Sequence, residues 1–432
     1  MSVRTTTMRN GMRVVTHAMP HLETASIGVW VGTGARAESA DQHGLSHLLE
    51  HMAFKGTHRR SARDIAEEIE SAGGDLNAAT SLETTAYHAR MLKHDIGLAI
   101  DILADILRNP KFDASELARE QDVIVQEIAA AQDSPDDEAY DLVQDAAFPD
   151  QALGRTILGT KKSVRGHTPG DLSAYMKSSY VPGAMVLAAA GALDHDRIVR
   201  QAQSAFGDMP RATPAAPAAA AYRGGFRRSE KRFEQSHIIL AYEGPSYRDE
   251  AIYAGQILSG ILGGGMSSRL FQEARETRGL CYAIYSYCWG LSDTGLFGVH
   301  AATGPDQVQE LAQVILSELE KLTQDLVSGA EIARAKAQLK SGLLMSLESS
   351  GSRAEQLARQ TLVYGAPLAV NDMVEKVEAV DKEAVRALAG KIITSASVSA
   401  SAVGPLPDQA GLERLMDKHN PPPARAASLR SA

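Results

Sequence analysis

One order of elements occurs twice along this chain of 432 residues. Residues 25–31 alternate like a strand and run through a Gly-rich turn into a short helix at residues 44–56. Residues 84–92 alternate again, and a long apolar helical pattern covers residues 95–107. The same succession returns in the second half, with a strand at 237–242, a helix at 251–262, a strand at 294–301 and a helix at 305–322. Between the copies, residues 208–225 carry Pro210, Pro214, Pro217, an alanine run and Gly224-Gly225, which is the composition of a linker. Halves of about 200 residues are long enough to bury full cores, and they fit duplicated α+β domains rather than short-period repeats. The chain therefore reads as two structurally similar domains, each a mixed or antiparallel sheet with packed helices. The boundaries expected are 1–209, a linker at 210–225, 226–420 without a metal site, and a Pro/Ala/Ser tail at 421–432 that is disordered.

The short helix of the first copy carries chemistry that its counterpart lacks. Leu45, Leu48, Leu49 and Met52 fall at i, i+3, i+4 and i+7 and form a buried stripe, while His47, Glu50, His51 and Phe54 repeat that spacing on the opposite side. Two imidazoles four residues apart can grip one tetrahedral zinc ion, and the carboxylate before the second histidine can reach a metal-bound water without ligating. The order H-x-x-E-H is that of the inverted zincins. A two-histidine site needs one more protein ligand, and a glutamate from a distant helix is a usual third. Glu120 and Glu127, seven apart on one face of a helix at 114–132, are the candidates. Plainer readings stand beside these: surface histidines on an amphipathic helix, and a solvated acidic stripe next to Arg119. The helix at 251–262 has no histidine pair, so only the first domain can bind metal in this way. Gly263-Gly264-Gly265 is not followed by the Lys-Ser/Thr of a phosphate loop and reads as a flexible helix connection.

Charge and composition narrow the function class. The formal net charge of −9 argues against a nucleic-acid or membrane binder and favours basic ligands if the acid gathers in a cleft; simple solubility also accounts for it. Cys281 and Cys288 are the two cysteines and share one sheet segment, so no disulfide framework is expected and a reducing compartment is the default. Residues 1–20 are polar and basic, unlike an export signal, and the longest apolar run, 185–193, falls well short of the ~20 residues a bilayer needs. The expectation is a bacterial cytoplasmic protein, or one of the mitochondrial matrix if a presequence was removed.

Five segments in one order carry a family likeness. They are the stretch His47-Leu-Leu-Glu-His51-Met-Ala-Phe-Lys-Gly-Thr, Asp75-Leu-Asn-Ala-Ala-Thr-Ser, Glu120 with Glu127, Gly154-Arg-Thr-Ile-Leu-Gly, and residues 267–282. Together they resemble the pitrilysin family of metallopeptidases, most closely the branch of processing-peptidase β subunits and their bacterial relatives. The resemblance implies a zinc endopeptidase, with one zinc ion per chain, that cuts unfolded or presequence-like peptides inside a clamshell. His47, His51 and Glu127 match the zinc ligands, Glu50 the general base, and Glu120 the acid that orients a ligand histidine. Asn77 and Ala78 match the strand edge that pairs with substrate, and Phe54 lines the pocket after the cut. Arg275 and Tyr282 match the pair that stabilises the oxyanion, where a helix-surface charge and a strand core residue are the alternatives. Asp137 and Asp141, i and i+4 on a helix beginning after Pro135, match a receptor for an arginine before the cut, or else they complement their own helix dipole. A homodimer would be self-sufficient, and a heterodimer with a noncatalytic paralogue is the other arrangement. The rival functions are a structural subunit resembling respiratory-complex core proteins and a noncatalytic partner subunit, both disfavoured by the intact metal motif.

Overall fold

The computed structural model describes residues 3–395 and 397–419, and the chain divides into two compact units. The tail expected to be disordered, 421–432, lies outside the described residues. Unit 1 runs to Ala131 and adds Arg155–Ala219 and Lys340–Glu375, while unit 2 comprises Gln132–Gly154, Ala220–Leu339 and the chain from Lys376 onward.

Unit 1 is built on six strands: β1 (Val3–Thr7), β2 (Arg13–Ala18), β3 (Thr24–Val31), β4 (Asp75–Thr80), β5 (Thr85–Leu92) and β6 (Met185–Gly191). Their order across the sheet is β1-β2-β6-β3-β5-β4, antiparallel except for the β2–β6 pair. One face buries Val14, Ile27 and Val29 against Leu45, Leu48 and Leu49 of helix α1 (Leu45–Ala53), together with Ile102 and Leu103. Helix α2 (Ala62–Ser71) begins at the capping box that Ser61 and Asp64 form, α3 spans Ile96–Arg108, and α4 spans Ala114–Asp133. The other face carries Val15, Met19, Trp30, Val186, Ala188 and Ala190, covered by Ala354, Leu357 and Ala358 of the helix Ser350–Tyr364. Two covered faces explain why β6 is buried at every residue instead of alternating.

Unit 2 repeats the design with β7 (Gly225–Glu230), β8 (Ser236–Glu243), β9 (Cys281–Gly290), β10 (Gly295–Thr303) and β11 (Ser399–Gly404) in the order β7-β11-β8-β10-β9. Set beside β2-β6-β3-β5-β4 the order is the same, and the single parallel pair, β11–β7, occupies the same place. Helix α5 (Pro135–Ala147) lies on this sheet, where the Ser401 hydroxyl donates to the Ala139 carbonyl at 2.7 Å and Arg227 pairs with Asp145 at 2.6 Å.

The contiguous boundaries 1–209 and 226–420 are corrected by this packing. Residues 132–154 belong to unit 2 and residues 340–375 to unit 1, because each sheet is covered on both faces and takes one of its covering helices from the other half of the sequence. Residues 75–80 form a strand, as the resemblance implies for Asn77 and Ala78. Gly263 does more than join two helices: a Cβ there would stand 2.5 Å from the Ser286 backbone nitrogen, so the residue permits a close approach of helix to β9. Both cysteines are free. Among the described residues no helix is long and apolar enough to cross a membrane.

Candidate metal centre and active site

Helix α1 starts from Gly44, whose φ of +87° is the left-handed conformation glycine adopts without strain. Gly44 has no side chain to cap the helix. The buried carboxylate of Glu38 does so instead, accepting from the Gly44 nitrogen at 2.9 Å and the Ser46 nitrogen at 2.6 Å. With Leu45, Leu48, Leu49 and Met52 locked in the core, His47, Glu50 and His51 are held on the partly open face.

Across from them, α4 presents both glutamates. Glu127 Oε2 stands 3.7 Å from His47 Nε2 and 3.7 Å from His51 Nε2. Those separations exceed a hydrogen bond and match the spacing, about 3.3–3.6 Å, of atoms bound about 2.0–2.2 Å from one tetrahedral centre. Glu120 takes a different role: its Oε2 accepts from His51 Nδ1 at 3.0 Å, and its Oε1 accepts from Lys55 Nζ at 2.7 Å. With the proton on Nδ1, the Nε2 lone pair of His51 is turned toward Glu127. His47 Nδ1 is buried without a hydrogen-bond partner among the described residues.

Electrostatics prepare these groups differently. Burial drives the His47 pKa down to about 4, with the charge of His51 adding to it, so His47 is a neutral ligand at pH 7. Burial pushes Glu50 above the usual carboxylate value, and its Oε2 has no hydrogen-bond partner among the described residues, as suits a group that takes and returns a proton. Burial also works against the charge on Glu120, but hydrogen bonds from Lys55 and His51 outweigh it and hold the pKa below the usual value. The donor set of two imidazoles and a carboxylate therefore fits zinc, with a carboxylate base beside it.

β4 is an edge strand paired on one side with β5, with Asn77 opposite His88 and Ala78 opposite Tyr87, so its outer side is open. Phe54 closes the end of α1 and packs near Tyr87, ring centroids 6.1 Å apart. Arg275 and Tyr282, in unit 2, are brought together: the guanidinium lies 4.8 Å from the Tyr282 ring and donates to the Tyr282 carbonyl at 2.9 Å. Tyr282 is 75% exposed, which removes the strand-core alternative. Asp137 and Asp141 are exposed on α5, a helix that does begin at Pro135 with Ser134 as its cap. They belong to unit 2, so the fold of unit 1 does not itself bring them to the histidines. Sequence reasoning missed Glu38 and Lys55; Lys55 stands four residues after His51, a spacing that signals a shared face.

Comparison with known proteins covers these same residues. The family described as Insulinase (Peptidase family M16) matches residues 13–161, which include all three candidate ligands and Glu50. The family described as Peptidase M16 inactive domain matches residues 167–339, the part without a histidine pair on its short helix. The chain is 38% identical to an uncharacterized zinc protease of Streptomyces coelicolor, covering 94% of this chain and 91% of that one. It is also 38% identical to an uncharacterized zinc protease of Rickettsia felis, covering 92% and 96% respectively. In fold it is similar to a crystal structure of a protease from Helicobacter pylori, with a TM-score of 0.87 at 21% identity over 94% of this chain and 99% of that one.

Proposed function

The chain belongs to the insulinase family of peptidases, family M16, and from that membership we propose that it is a zinc-dependent endopeptidase acting on unfolded or presequence-like peptides in an enclosed cavity. The observation that carries this reading is the convergence of His47, His51 and Glu127 beside Glu50, whose Oε2 is buried without a hydrogen-bond partner among the described residues. Zinc is the cofactor, and when held by those three residues it supplies a water activated near neutral pH and a Lewis acid for the scissile carbonyl. Glu50 accepts a proton from the attacking water and passes it to the leaving amine. Glu120 keeps the His51 ring in the tautomer that leaves Nε2 free, and Lys55 balances its charge. An extended peptide adds to the open side of β4 at Asn77 and Ala78, with Phe54 lining the pocket after the cut. Arg275 and Tyr282 are assigned to the developing oxyanion, and Asp137 with Asp141 to a basic residue before the cut.

In this reading the active form is a homodimer, since each copy carries both the metal-binding part and the Arg275/Tyr282 part and no noncatalytic paralogue is required. Its bacterial relatives support a bacterial cytoplasmic setting. The test is one set of cleavage assays on peptides that carry arginine, lysine or alanine two residues before the cut, with light scattering of the active fraction. Glu50→Gln is expected to keep its metal and lose at least about a hundredfold in rate, and His51→Ala to lose both. Wild type should prefer arginine by about tenfold and Asp137→Asn/Asp141→Asn should not. Undiminished cleavage by Glu50→Gln would overturn the mechanism, equal rates on the three peptides would remove the specificity, and a fully active monomer would remove the dimer.

A further inference from the structure

A second group of metal-binding side chains lies wholly within unit 2 and is not used by the peptidase reading. His237 on β8 pairs with Ala302 on β10, and His300 stands two residues before Ala302, so the two rings share one face of the sheet as diagonal neighbours. Helix α5 crosses that face. Its start is fixed by Ser134 and Pro135, which places Asp136, its second residue, over both rings. Asp136 Oδ1 lies 2.8 Å from His237 Nδ1 and 2.9 Å from His300 Nε2, and the two ring nitrogens are 3.4 Å apart.

Three atoms from three separate elements thus converge on one point. Asp136 Oδ1 is within hydrogen-bond distance of both rings, and the same three atoms lie close enough together to be shared by one ion. The rings are already in position: His300 is 2% exposed, close to the Tyr140 ring (5.8 Å, nearly parallel) and the Tyr285 ring (5.0 Å), whose hydroxyls meet at 2.9 Å. The Asp136 side chain is 57% exposed, which gives an ion a way in and leaves room for water in the remaining coordination positions.

We propose that Asp136, His237 and His300 form a second metal site, which takes a divalent ion suited to imidazole ligands, such as Zn2+ or Co2+, and fastens the start of α5 to β8 and β10. The two ring nitrogens, 3.4 Å apart, are already at the spacing of ligands of one ion, while the two contacts of Asp136, 2.8 and 2.9 Å, are shorter by about 0.4–0.8 Å, and rotation of its exposed carboxylate supplies the difference. Bound there, the ion joins residues 132–154 to the sheet formed by the second half of the chain.

The experiment uses the full chain with His47→Ala/His51→Ala, which removes the other site, so this inference and the peptidase reading fail separately. After chelator treatment and dialysis, the protein is titrated with Zn2+ and with Co2+ by calorimetry, and bound metal is counted by elemental analysis. One ion per chain is expected, with a higher melting temperature in Zn2+. Adding Asp136→Asn or His237→Asn should weaken binding by about 10–100-fold or more. In the chain with His47 and His51 intact, Asp136→Asn should take the count from two ions to one, a readout that stands even if the double alanine variant folds poorly. No stoichiometric binding in the His47→Ala/His51→Ala chain, or binding indifferent to Asp136→Asn and His237→Asn, would overturn the proposal.

Discussion

In the proposed metal centre Glu120 acts through a neighbour. Its carboxylate joins His51 Nδ1 at 3.0 Å to Lys55 Nζ at 2.7 Å, so the orientation and tautomer of one ligand are set before an ion arrives. Glu120→Ala should therefore lower zinc affinity by about 10–100-fold, measured by competition with a chelator, and Glu120→Gln, which keeps an acceptor, should recover much of it. Equal affinity for wild type and Glu120→Ala would leave Glu120 as a buried partner of Lys55 and His51 with no part in holding metal. His47, Glu50 and His51 were legible in the sequence because one helix fixes their spacing. From spacing alone Glu120 and Glu127 were legible only as a pair on one face, and the resemblance assigned their separate roles; which carboxylate meets Nε2 and which meets Nδ1 depends on how α4 lies against α1. Asp136, His237 and His300 gave no signal, since their meeting follows from the register of β8 on β10 and from the placement of α5.

At the scale of the element, α1 is a short helix without a cap of its own, and its N-terminus rests on Glu38. Burial raises the Glu38 pKa from the usual 4.5 to about 7, although the Ser46 and Gly44 N–H groups favour the charge. Because the folded value lies above the unfolded one, the protonated form is the stabilising one. Its contribution is complete below about pH 4.5 and fades as pH rises through about 7, a loss of roughly 3 kcal/mol at most. Urea denaturation of wild type and Glu38→Gln across this range should show the difference between them moving against wild type as pH rises, and a constant difference would contradict it. The cap on α2 was legible as Ser61-x-x-Asp64, whereas Glu38 sits six residues ahead of Gly44, beyond any local capping pattern. β4 was legible only through the resemblance, because Asp75-Leu-Asn-Ala-Ala-Thr has few of the β-branched and aromatic residues that mark strands; its place beside β5 makes it one.

For the whole molecule, the duplication was legible and the boundaries were not, because sequence neighbourhood does not say which helix covers which sheet. The face of the unit 1 sheet turned away from α1 is apolar: Val15, Met19, Trp30, Val186, Ala188 and Ala190 meet Ala354, Leu357 and Ala358. Polar contacts fix the same helix, with Arg13 donating to the Thr361 carbonyl at 2.7 Å, Ser26 bonded to Ser350 at 2.9 Å, and Arg353 donating to His17 at 3.1 Å. A fragment of residues 1–219 has the strands, α1 and α4, and so every ligand of the metal centre, yet it lacks this cover. Truncating Leu357 alone should cost about 2–5 kcal/mol, so loss of the entire helix exceeds the margin by which domains of this size are stable. The fragment is therefore expected to bind a hydrophobic dye and unfold without a sharp transition. Supplying residues 340–375 through a flexible linker should restore cooperative unfolding, because it returns both the apolar cover and the three polar contacts. Calorimetric melting of the two fragments decides the matter. If residues 1–219 alone melt sharply at the temperature of the full chain, the helix Ser350–Tyr364 only rests on the sheet; if the restored fragment melts sharply and the bare one does not, the unit that folds is the discontinuous one.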